Sequence, residues 1–302
     1  MRRGLDRDLA ALEHNLVWIV GSPRSGTTWL LALLAAHPRV RTIDEPLIGA
    51  HLGFPAHAMV STTAAPADGS ATRTLDVFRG RGDYFFSDRF RDSWQQPLRE
   101  LILRRLLDQL REDGGDPRRD VLVVKEPHGS EAADLLIAAL PQSRLVVAAR
   151  DGRDVVDSVL DAVSPHGWAR GVATLEPTAA ARRAFVADYA HMWAERMGIV
   201  LRTCERLPAR QHRLVRYEDL RRDTGPAVVA LLEWLGLPVL DDLDAHVERL
   251  AFERVPAEQR GPGRFHRAAS PGGWRQRLTA EEQAVATAAM APVLRALGYD
   301  LD

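Results

Sequence analysis

The segment that most constrains the fold is residues 16–46, LVWIVGSPRSGTTWLLALLAAHPRVRTIDEP. An apolar run over residues 16–20 stops at a turn rich in Gly, Ser and Thr, and a run rich in Leu and Ala then continues to residue 36. This order predicts a strand, a phosphate-type loop and a helix. Glycines let such a loop approach an anion closely, and the free N–H groups at the start of the helix face that anion. The polar side chains expected to complete the anion site are Arg24, Ser25, Thr27 and Thr28.

The charge balance and the cysteine content narrow the class of protein. The 302-residue chain has 40 Lys and Arg residues against 41 Asp and Glu residues, so it has no overall basic footprint and nucleic acid is not an expected partner. Cys204 is the only cysteine, which excludes an intrachain disulfide and fits a reducing compartment. The N-terminus lacks the apolar core of a signal peptide, and no run reaches the length of a membrane span. We therefore expect a cytoplasmic protein with no membrane segment.

Short apolar runs alternate with helical patterns along the rest of the chain. The apolar runs predict three more strands, over residues 121–124, 145–149 and 213–220. Ser130 is expected to cap one of the helices, and Thr279 with Glu282 fits a capping box. This alternation predicts a single α/β domain over residues 1–302, with a mainly parallel central sheet and helices on both faces. The helices are predicted over residues 97–111, 131–140, around 155–160, 179–206, around 228–235 and 279–297.

Two segments lack regular periodicity. Residues 46–96 begin with a stretch rich in Ala, Thr, Pro and Gly, and they end with Arg interleaved among aromatic side chains. The first stretch fits either a plain surface linker or an irregular cover on the acceptor side of a site. The aromatic stretch over residues 80–96 fits either the lining of an acceptor pocket or a helix edge that packs its aromatic side chains into the core. Residues 256–275 are basic and crowded with Gly and Pro, which predicts a flexible flap.

Cationic side chains directly follow three of the predicted strands. Arg24 follows the first strand, and Lys125 and Arg150 follow the next two along the chain. Ligands of open α/β sheets bind beyond the carboxyl ends of the strands. We therefore expect the three cations to converge on one crevice.

The loop has the glycine spacing of a Walker A motif, G-x-x-x-x-G-K followed by Ser or Thr, at Gly21 and Gly26. Thr27 stands where that motif has its phosphate-binding lysine. Lys125 ends the strand that would carry the acidic magnesium ligand of a Walker B motif. Both differences argue against a P-loop nucleotide kinase or triphosphatase, which is the rival hypothesis beside a catalytically silent nucleotide-binding module.

Several separated segments together resemble the sulfotransferases that use 3′-phosphoadenosine 5′-phosphosulfate (PAPS). Residues 22–29, SPRSGTTW, resemble the loop of that family that binds the 5′-phosphosulfate. Residues 150–158, RDGRDVVDS, resemble its 3′-phosphate motif, and residues 216–220, RYEDL, are similar to its tyrosine-containing segment. The matches occur in the family's order over nearly the whole chain, and this implies a sulfotransferase with a fold like that of P-loop NTPases.

A further match lies in the predicted flap. Arg267, Gly272 and Trp274 are in register with the late R-K-G-x-x-G-D-W-K motif of cytosolic sulfotransferases. The chain departs from that motif where Ala268 and Ala269 replace Lys and Gly, and again where Gly replaces Asp just before the tryptophan.

The resemblance implies a role for each matching residue. It places the 5′-phosphosulfate on the loop and the 3′-phosphate on Arg150, Ser158 and Arg267. It also puts Trp29 near the adenine and Tyr217 beside the nucleotide, although each of these aromatic residues fits a core position as well. The residues implied to bind the nucleotide are Arg24, Ser25, Gly26, Thr27, Thr28, Trp29, Arg150, Ser158, Tyr217, Arg267 and Trp274.

Two residues compete for the role of general base. In common cytosolic sulfotransferases the base is a histidine in K-T-H, whereas here Pro127 takes that place and the histidine is His128. The tyrosylprotein sulfotransferases have P-R-S-G-T-T, a helix, H-P and then an acidic base, and Glu45 is similar in position to that base. We therefore predict Glu45 as the base and His128 as its competitor. An ion pair with Arg39 or Arg41 is the purely structural alternative for Glu45.

The predicted reaction is transfer of a sulfuryl group from PAPS to an acceptor hydroxyl by in-line displacement, with adenosine 3′,5′-bisphosphate (PAP) as the product. Positioning and electrostatics are expected to dominate such a reaction, with Arg24 and Lys125 supporting the charge on the leaving phosphate oxygen. No metal-ligand spacing is present, so no metal is expected. The expected acceptor is a small molecule that carries a phenol or sugar hydroxyl, but the sequence does not identify it: a glutamate base resembles enzymes that act on tyrosine or sugars, and small phenols are equally compatible. The sequence does not indicate the oligomeric state.

Overall fold

A computed structural model describes residues 2–49, 80–170 and 178–302 of the chain. Its centre is a five-stranded sheet in the order β2-β3-β1-β4-β5, in which every pairing between neighbouring strands is parallel. The register pairs Val17 with Arg144 on one side of β1 and with Val123 on the other. The predicted parallel α/β sheet is therefore confirmed. The strands are β1 (Leu16–Gly21), β2 (Val40–Asp44), β3 (Val121–Lys125), β4 (Arg144–Ala149) and β5 (His212–Arg216).

Side chains of the central strands alternate between two hydrophobic clusters, one on each face of the sheet. In β1, Leu16, Trp18 and Val20 belong to one cluster, and Val17 and Ile19 belong to the other. Because all of these residues are buried, the strand reads as a continuous apolar run in the sequence rather than as an alternating pattern. This burial explains why the strands at the centre of the sheet can be predicted from composition alone.

Helices cover both faces of the sheet, as predicted. The larger cluster packs the sheet against α1, α3, α4, α5, α6 and α11, and the smaller one packs it against α2, α8 and α9. Short helix α7 directly follows β5, and short helix α10 begins at the end of the predicted flap. The predicted capping box at Thr279 is present at the start of α11. The helices are α1 (Arg2–His14), α2 (Thr27–Ala35), α3 (Arg91–Glu112), α4 (Ala133–Ala139), α5 (Gly152–Ala162), α6 (Ala179–Glu205), α7 (Tyr217–Arg222), α8 (Thr224–Leu235), α9 (Leu243–Arg249), α10 (Trp274–Arg277) and α11 (Ala280–Ala296).

Two element boundaries and one helix cap differ from the sequence-based prediction. The strand predicted over residues 213–220 ends at Arg216, because the next six residues form α7. The helix predicted from residue 131 begins at Ala133, after a 3-10 turn over Pro127–Ala132. Ser130 lies within that turn and does not cap the helix. Its hydroxyl instead donates to the carbonyl of Gly21 at 2.7 Å and accepts from the amide of the same residue at 2.8 Å, which joins the turn to the end of β1.

The predicted cover over residues 46–96 lies partly outside the described residues, which resume at Gly80. In the part that is described, Phe86 and Trp94 make an edge-to-face contact and pack against the core, whereas Phe85 is 79% exposed. None of the helices within the described ranges is long and apolar enough to cross a membrane.

Candidate active site

The loop after β1 forms a tight backbone turn at the carboxyl edge of the sheet. Gly21 has a φ of 143° and Gly26 a φ of 81°, and Gly26 is the N-cap of α2. A Cβ atom on Gly26 would lie 2.6 Å from Cδ2 of Tyr217, so the ring of Tyr217 packs directly on the loop. Arg24 also has a left-handed backbone, with a φ of 70°. Only a residue without a side chain fits at position 26, and the loop conformation depends on it.

Three arginines from separate elements meet beside this loop. Arg24 Nε donates to Ser158 Oγ on α5 at 3.2 Å, and Arg150 Nη1 donates to the carbonyl of Arg24 at 3.1 Å. Arg24 Nη2 also donates to the carbonyl of Phe265 in the flap at 2.7 Å. Arg267 follows two residues later in the flap, and its charge acts on Arg24. Of the three cations predicted to converge, Arg24 and Arg150 meet here, with Arg267 and Ser158 beside them. Lys125 does not line this cavity and lies in the neighbouring cluster of charges described below.

The electrostatics of this cluster favour an anion. Burial, together with the neighbouring positive charges of Arg150 and Arg267, lowers the pKa of Arg24 to about 10. The guanidinium of Arg24 stays protonated at neutral pH. The three positive charges therefore repel one another, and this repulsion costs free energy. An anion bound among them would remove that cost, since it favours the charged form of all three arginines.

The cluster opens into a cavity of about 360 Å³ between the loop, α5 and the flap. Trp29 and Tyr217 make an edge-to-face contact with centroids 6.2 Å apart, and the guanidinium of Arg150 lies 4.5 Å from the centre of the Tyr217 ring. The site residues predicted from the sequence that line this cavity are Arg24, Gly26, Thr27, Thr28, Trp29, Arg150, Ser158, Tyr217 and Arg267.

Two predicted nucleotide residues are not in the lining of this cavity. Ser25 is buried beside it, and its hydroxyl has no hydrogen-bond partner among the described residues. Trp274 is 2% exposed and packs in the larger core cluster, where the guanidinium of Arg153 lies 4.0 Å from its ring. The position of Trp274 therefore fits a structural residue at the end of the flap.

A second cluster of charges lies next to the cavity and is joined to it through Thr28. Lys125 Nζ at the end of β3 donates to Thr28 Oγ1 at 2.8 Å, and the same ammonium lies 2.6 Å from Asp44 Oδ1 and 2.9 Å from Glu45 Oε1. Lys125 is 2% exposed, and it is the only lysine in the whole chain. A lysine from β3 thus reaches the loop region that lacks the lysine of a Walker A motif.

The two predicted candidates for the base lie together in this second cluster. His128 Nε2 is 3.7 Å from Glu45 Oε2. Burial lowers the pKa of His128, and the charge of Glu45 opposes this effect. The partners of Glu45 are therefore Lys125 and His128. Arg39 instead donates to the carbonyl of Arg119, and Arg41 pairs with Asp120. The structural alternative, an ion pair between Glu45 and Arg39 or Arg41, is therefore not present.

A buried glutamate supports the turn that carries Glu45. Glu126 is fully buried, and its Oε2 accepts from the amide of Ile48 at 3.0 Å. The turn is conformationally unusual, because Glu45 has a φ of 49° and Leu47 a φ of 60°. Burial raises the pKa of Glu126 to about 7, and the nearby charge of Glu45 raises it as well, whereas the bond from Ile48 lowers it. Glu126 therefore holds a strained turn at the edge of the site.

Sequence reasoning missed two parts of the site. The first part is Asp44, which pairs with Lys125. Asp44 ends β2, a strand that was not predicted from the sequence, so its position beside β3 was not predicted either. The far wall of the cavity is formed by the last residue of α9 and by the segment that follows it, and no recognisable motif marks these residues. These wall residues are Arg249, Leu250, Ala251, Phe252, Arg254 and Val255. Within the described ranges no group of three or more His, Cys, Asp or Glu side chains is arranged to hold a metal ion.

A parallel α/β sheet with a glycine loop, convergent arginines and a cavity at its carboxyl edge defines a nucleotide-binding class of enzyme. The family model described as "Sulfotransferase family" matches residues 17–242, so the chain belongs to the sulfotransferase family. The predicted sulfotransferase identity and fold are thereby confirmed. No curated protein matches the chain.

Three solved structures that resemble this chain are sulfotransferases or sulfotransferase domains. The sulfotransferase domain from the curacin biosynthetic pathway is 17% identical, with 95% of this chain and 98% of that chain covered and a TM-score of 0.51. The domain from the Synechococcus PCC 7002 olefin synthase is 19% identical, with 95% of each chain covered and a TM-score of 0.52. Mouse sulfotransferase SULT7A1, complexed with PAP, is 12% identical, with 96% of this chain and 89% of that chain covered and a TM-score of 0.52. At these identities the likeness establishes the fold.

Proposed function

We propose that this sulfotransferase uses PAPS as the sulfuryl donor, transfers the group to the hydroxyl of a small-molecule acceptor such as a phenol or a sugar, and releases PAP. The observation that carries the proposal is the meeting of Arg24, Arg150 and Arg267 with Ser158 at one cavity. PAPS carries a 3′-phosphate and a 5′-phosphosulfate, so it offers two anionic groups to such a cluster. The mouse structure with PAP supports the same class of nucleotide for this fold.

The residues present fit the two anionic groups. Ser158 Oγ and the three guanidiniums suit a phosphate, because planar guanidiniums and hydroxyl groups bind phosphate oxygens with several hydrogen bonds. Ser25 Oγ and Arg150 Nε are buried and have no hydrogen-bond partner among the described residues. Buried polar atoms without partners are costly, so a ligand that supplied acceptors would stabilise this arrangement.

The charges next to the cavity suit the transfer itself. In an in-line displacement the acceptor oxygen forms a bond to sulfur while the bond from sulfur to the 5′-phosphate oxygen breaks, and negative charge develops on that leaving oxygen. Arg24 on the loop and Lys125 beside Thr28 supply positive charge near this point. Arg24 belongs to the loop itself, and Lys125 is hydrogen-bonded to Thr28 directly after it, so both cations are held in place before a ligand binds.

Glu45 is the proposed acceptor of the proton that leaves the attacking hydroxyl. Its carboxylate is 36% exposed and lies between Lys125 and His128, where an acceptor entering from solvent can reach it. His128 is the alternative, since its lowered pKa leaves it neutral and able to take a proton at neutral pH.

Calorimetric titration with PAP tests the nucleotide assignment directly. We expect the parent protein to bind PAP and Arg150→Ala to bind it at least about tenfold more weakly, because a charge-assisted phosphate contact is removed. Arg104→Ala is the matched control, since Arg104 lies exposed on α3 and, among the described residues, pairs only with Glu100. The control is expected to bind like the parent.

Failure of the parent protein to bind PAP would overturn the proposed function. The same titration with ATP and Mg²⁺ distinguishes the proposed function from its rival, a P-loop kinase or triphosphatase. An enzyme of that class would bind and hydrolyse ATP. Binding of PAP without any sulfuryl transfer to a panel of phenols and sugars would instead favour a silent nucleotide-binding module.

A further inference from the structure

Helix α5 has an acidic face that is directed at the flap, the segment of residues 256–275. Asp154, Asp157 and Asp161 are spaced by three and four residues, so they lie on one side of the helix. Asp154 is completely buried, Asp157 is 3% exposed, and Asp161 is half-buried. Carboxylates are rarely this buried without partners that compensate the loss of water, and here the partners come from the flap.

Each of the three carboxylates binds a different part of the flap or its end. Asp161 Oδ2 accepts from the amide of Gly263 at 2.8 Å. Asp157 Oδ2 accepts from Arg267 Nη2 at 2.5 Å and from Arg277 Nε at 2.7 Å.

Asp154 holds the end of the flap through its backbone. Its two oxygens accept from the amide of Gly272 at 2.6 Å and from the amide of Trp274 at 3.1 Å. Gly272 has a φ of 80°, so the chain turns sharply at this contact. The three carboxylates together contact the flap near its start, its middle and its end.

We propose that the acidic face of α5 is a clasp that fixes the flap over the nucleotide cavity, so that Asp154, Asp157 and Asp161 are positioning residues for nucleotide binding. The proposal rests on the proposed function, since it concerns the same cavity. None of the three carboxylates is in the lining of the cavity. They act through the flap, which carries Arg267 and the carbonyl of Phe265 that binds Arg24.

The helix also contributes Ser158 to the cavity, directly after Asp157. One helix thus provides a hydroxyl for the proposed 3′-phosphate and also fixes Arg267, which lines the same cavity. Because the side chain of Arg267 is held by Asp157 before a nucleotide arrives, less conformational entropy is lost on binding. This is the advantage expected from a preorganised cation.

The clasp and a simple charge effect predict opposite results for Asp157→Asn. Removing a negative charge near a phosphate site should strengthen PAP binding if Asp157 acted only through its field. If Asp157 positions the flap, the same substitution frees Arg267 and weakens binding. The sign of the change in affinity therefore separates the two roles.

Limited trypsin digestion of the free protein tests the clasp without any ligand. The flap contains Arg260, Arg264 and Arg267, so release of the segment exposes several cleavage sites. We expect Asp157→Asn and Asp161→Asn each to raise the rate of cleavage within residues 256–275 at least about fivefold, since each loses a charge-assisted hydrogen bond. Asp8→Asn is the matched control. Like Asp157, Asp8 accepts hydrogen bonds from two arginines, Arg111 at 2.6 Å and Arg118 at 2.7 Å, but Asp8 lies on α1 and does not contact the flap.

The same variants are then titrated with PAP. We expect about tenfold weaker binding for Asp157→Asn, and a smaller loss for the half-buried Asp161→Asn, which tests the clasp even where the first variant folds poorly. Parent-like cleavage rates together with unchanged or tighter PAP binding in both variants would overturn the clasp. A parent protein that does not bind PAP, with the flap still released in the variants, would overturn the proposed function while leaving the anchoring of the flap by α5 intact.

Discussion

The ammonium nitrogen of Lys125 lies 2.9 Å from Oε1 of Glu45, so the proposed supporting cation and the proposed base form one ion pair. The same ammonium is bound to Thr28 Oγ1, which lines the nucleotide cavity. A single buried lysine therefore connects the donor side of the site with the acceptor side. In the proposed reaction its compact charge would stabilise the negative charge on the leaving phosphate oxygen and also orient the carboxylate of Glu45.

Replacement of this lysine should remove turnover more than nucleotide affinity. For Lys125→Met we expect kcat to fall at least about 100-fold, because a cation aimed at developing charge is lost, while the Kd for PAP changes less than about tenfold. Steady-state kinetics and calorimetry measure the two effects separately.

Lys125→Arg is the informative control for that experiment. The guanidinium is longer and planar, and the position between Thr28, Asp44 and Glu45 is 2% exposed, so we expect little recovery of kcat. A variant with methionine that keeps the turnover of the parent would exclude Lys125 from the reaction.

Substitution of the two base candidates should give unequal losses. We expect Glu45→Gln to lower kcat about 100-fold or more, because the amide keeps the shape but does not take up a proton, and His128→Ala to lower it less than about tenfold. The measurement is single-turnover consumption of PAPS with a phenol or sugar found active in the parent. The reverse order of losses would assign the proton to His128, which is 3.7 Å from Glu45 Oε2.

The buried carboxyl of Glu126 should make stability depend on pH. Its pKa of about 7 in the folded protein lies above the usual 4.5 because burial disfavours the charged form. The folded state therefore binds the proton more tightly, and the stabilisation is complete below about pH 4.5 and is lost as the pH rises through about 7. We expect the free energy of unfolding of the parent to fall from about pH 5 to about pH 8 more steeply than that of Glu126→Gln.

Urea denaturation at several pH values measures this difference. The glutamine variant keeps an oxygen that can accept from the amide of Ile48, so the turn after β2 is preserved while the titration is removed. Equal pH dependence in the two proteins would show that Glu126 does not titrate in this range.

The sequence predicted the centre of the fold better than its edges. Strands β1, β3 and β4 are buried on both faces and are therefore continuous apolar runs, which are easy to recognise. Strand β2 was missed because it is an edge strand in which Arg41 and Asp44 interrupt the apolar residues, and a charged segment of five residues has no helical or strand period of its own.

The site was predicted where it follows from the ends of neighbouring strands. Arg24 and Arg150 converge because β1 and β4 are adjacent and parallel. The sequence indicates this convergence because each arginine follows the carboxyl end of a predicted strand. The contact of Asp161 with Gly263 joins residues 102 positions apart, and no local pattern encodes it. Such contacts depend on how an irregular segment, here the flap, packs on the rest of the protein. The hydrophobic periodicity of the sequence contains no information about this packing.

The loop glycine gives a test of the site that does not require an acceptor. Gly26 has a left-handed backbone with a φ of 81°, and a Cβ there would lie 2.6 Å from the ring of Tyr217. For Gly26→Ala we expect a lower midpoint of thermal unfolding and at least about tenfold weaker PAP binding, because the ring and the loop must move apart where α2 begins. Calorimetry with PAP and thermal unfolding are the two measurements.

Gly114→Ala is the matched control for this prediction. Gly114 has a similar φ of 72°, but a Cβ there would meet no atom within 4 Å. The control therefore has the cost of the left-handed backbone, about 1 kcal/mol, without the steric contact. We expect it to lower stability slightly and to leave PAP binding unchanged. If both variants lost the same stability and Gly26→Ala still bound PAP like the parent, then contact between the loop and Tyr217 would have no part in forming the nucleotide site.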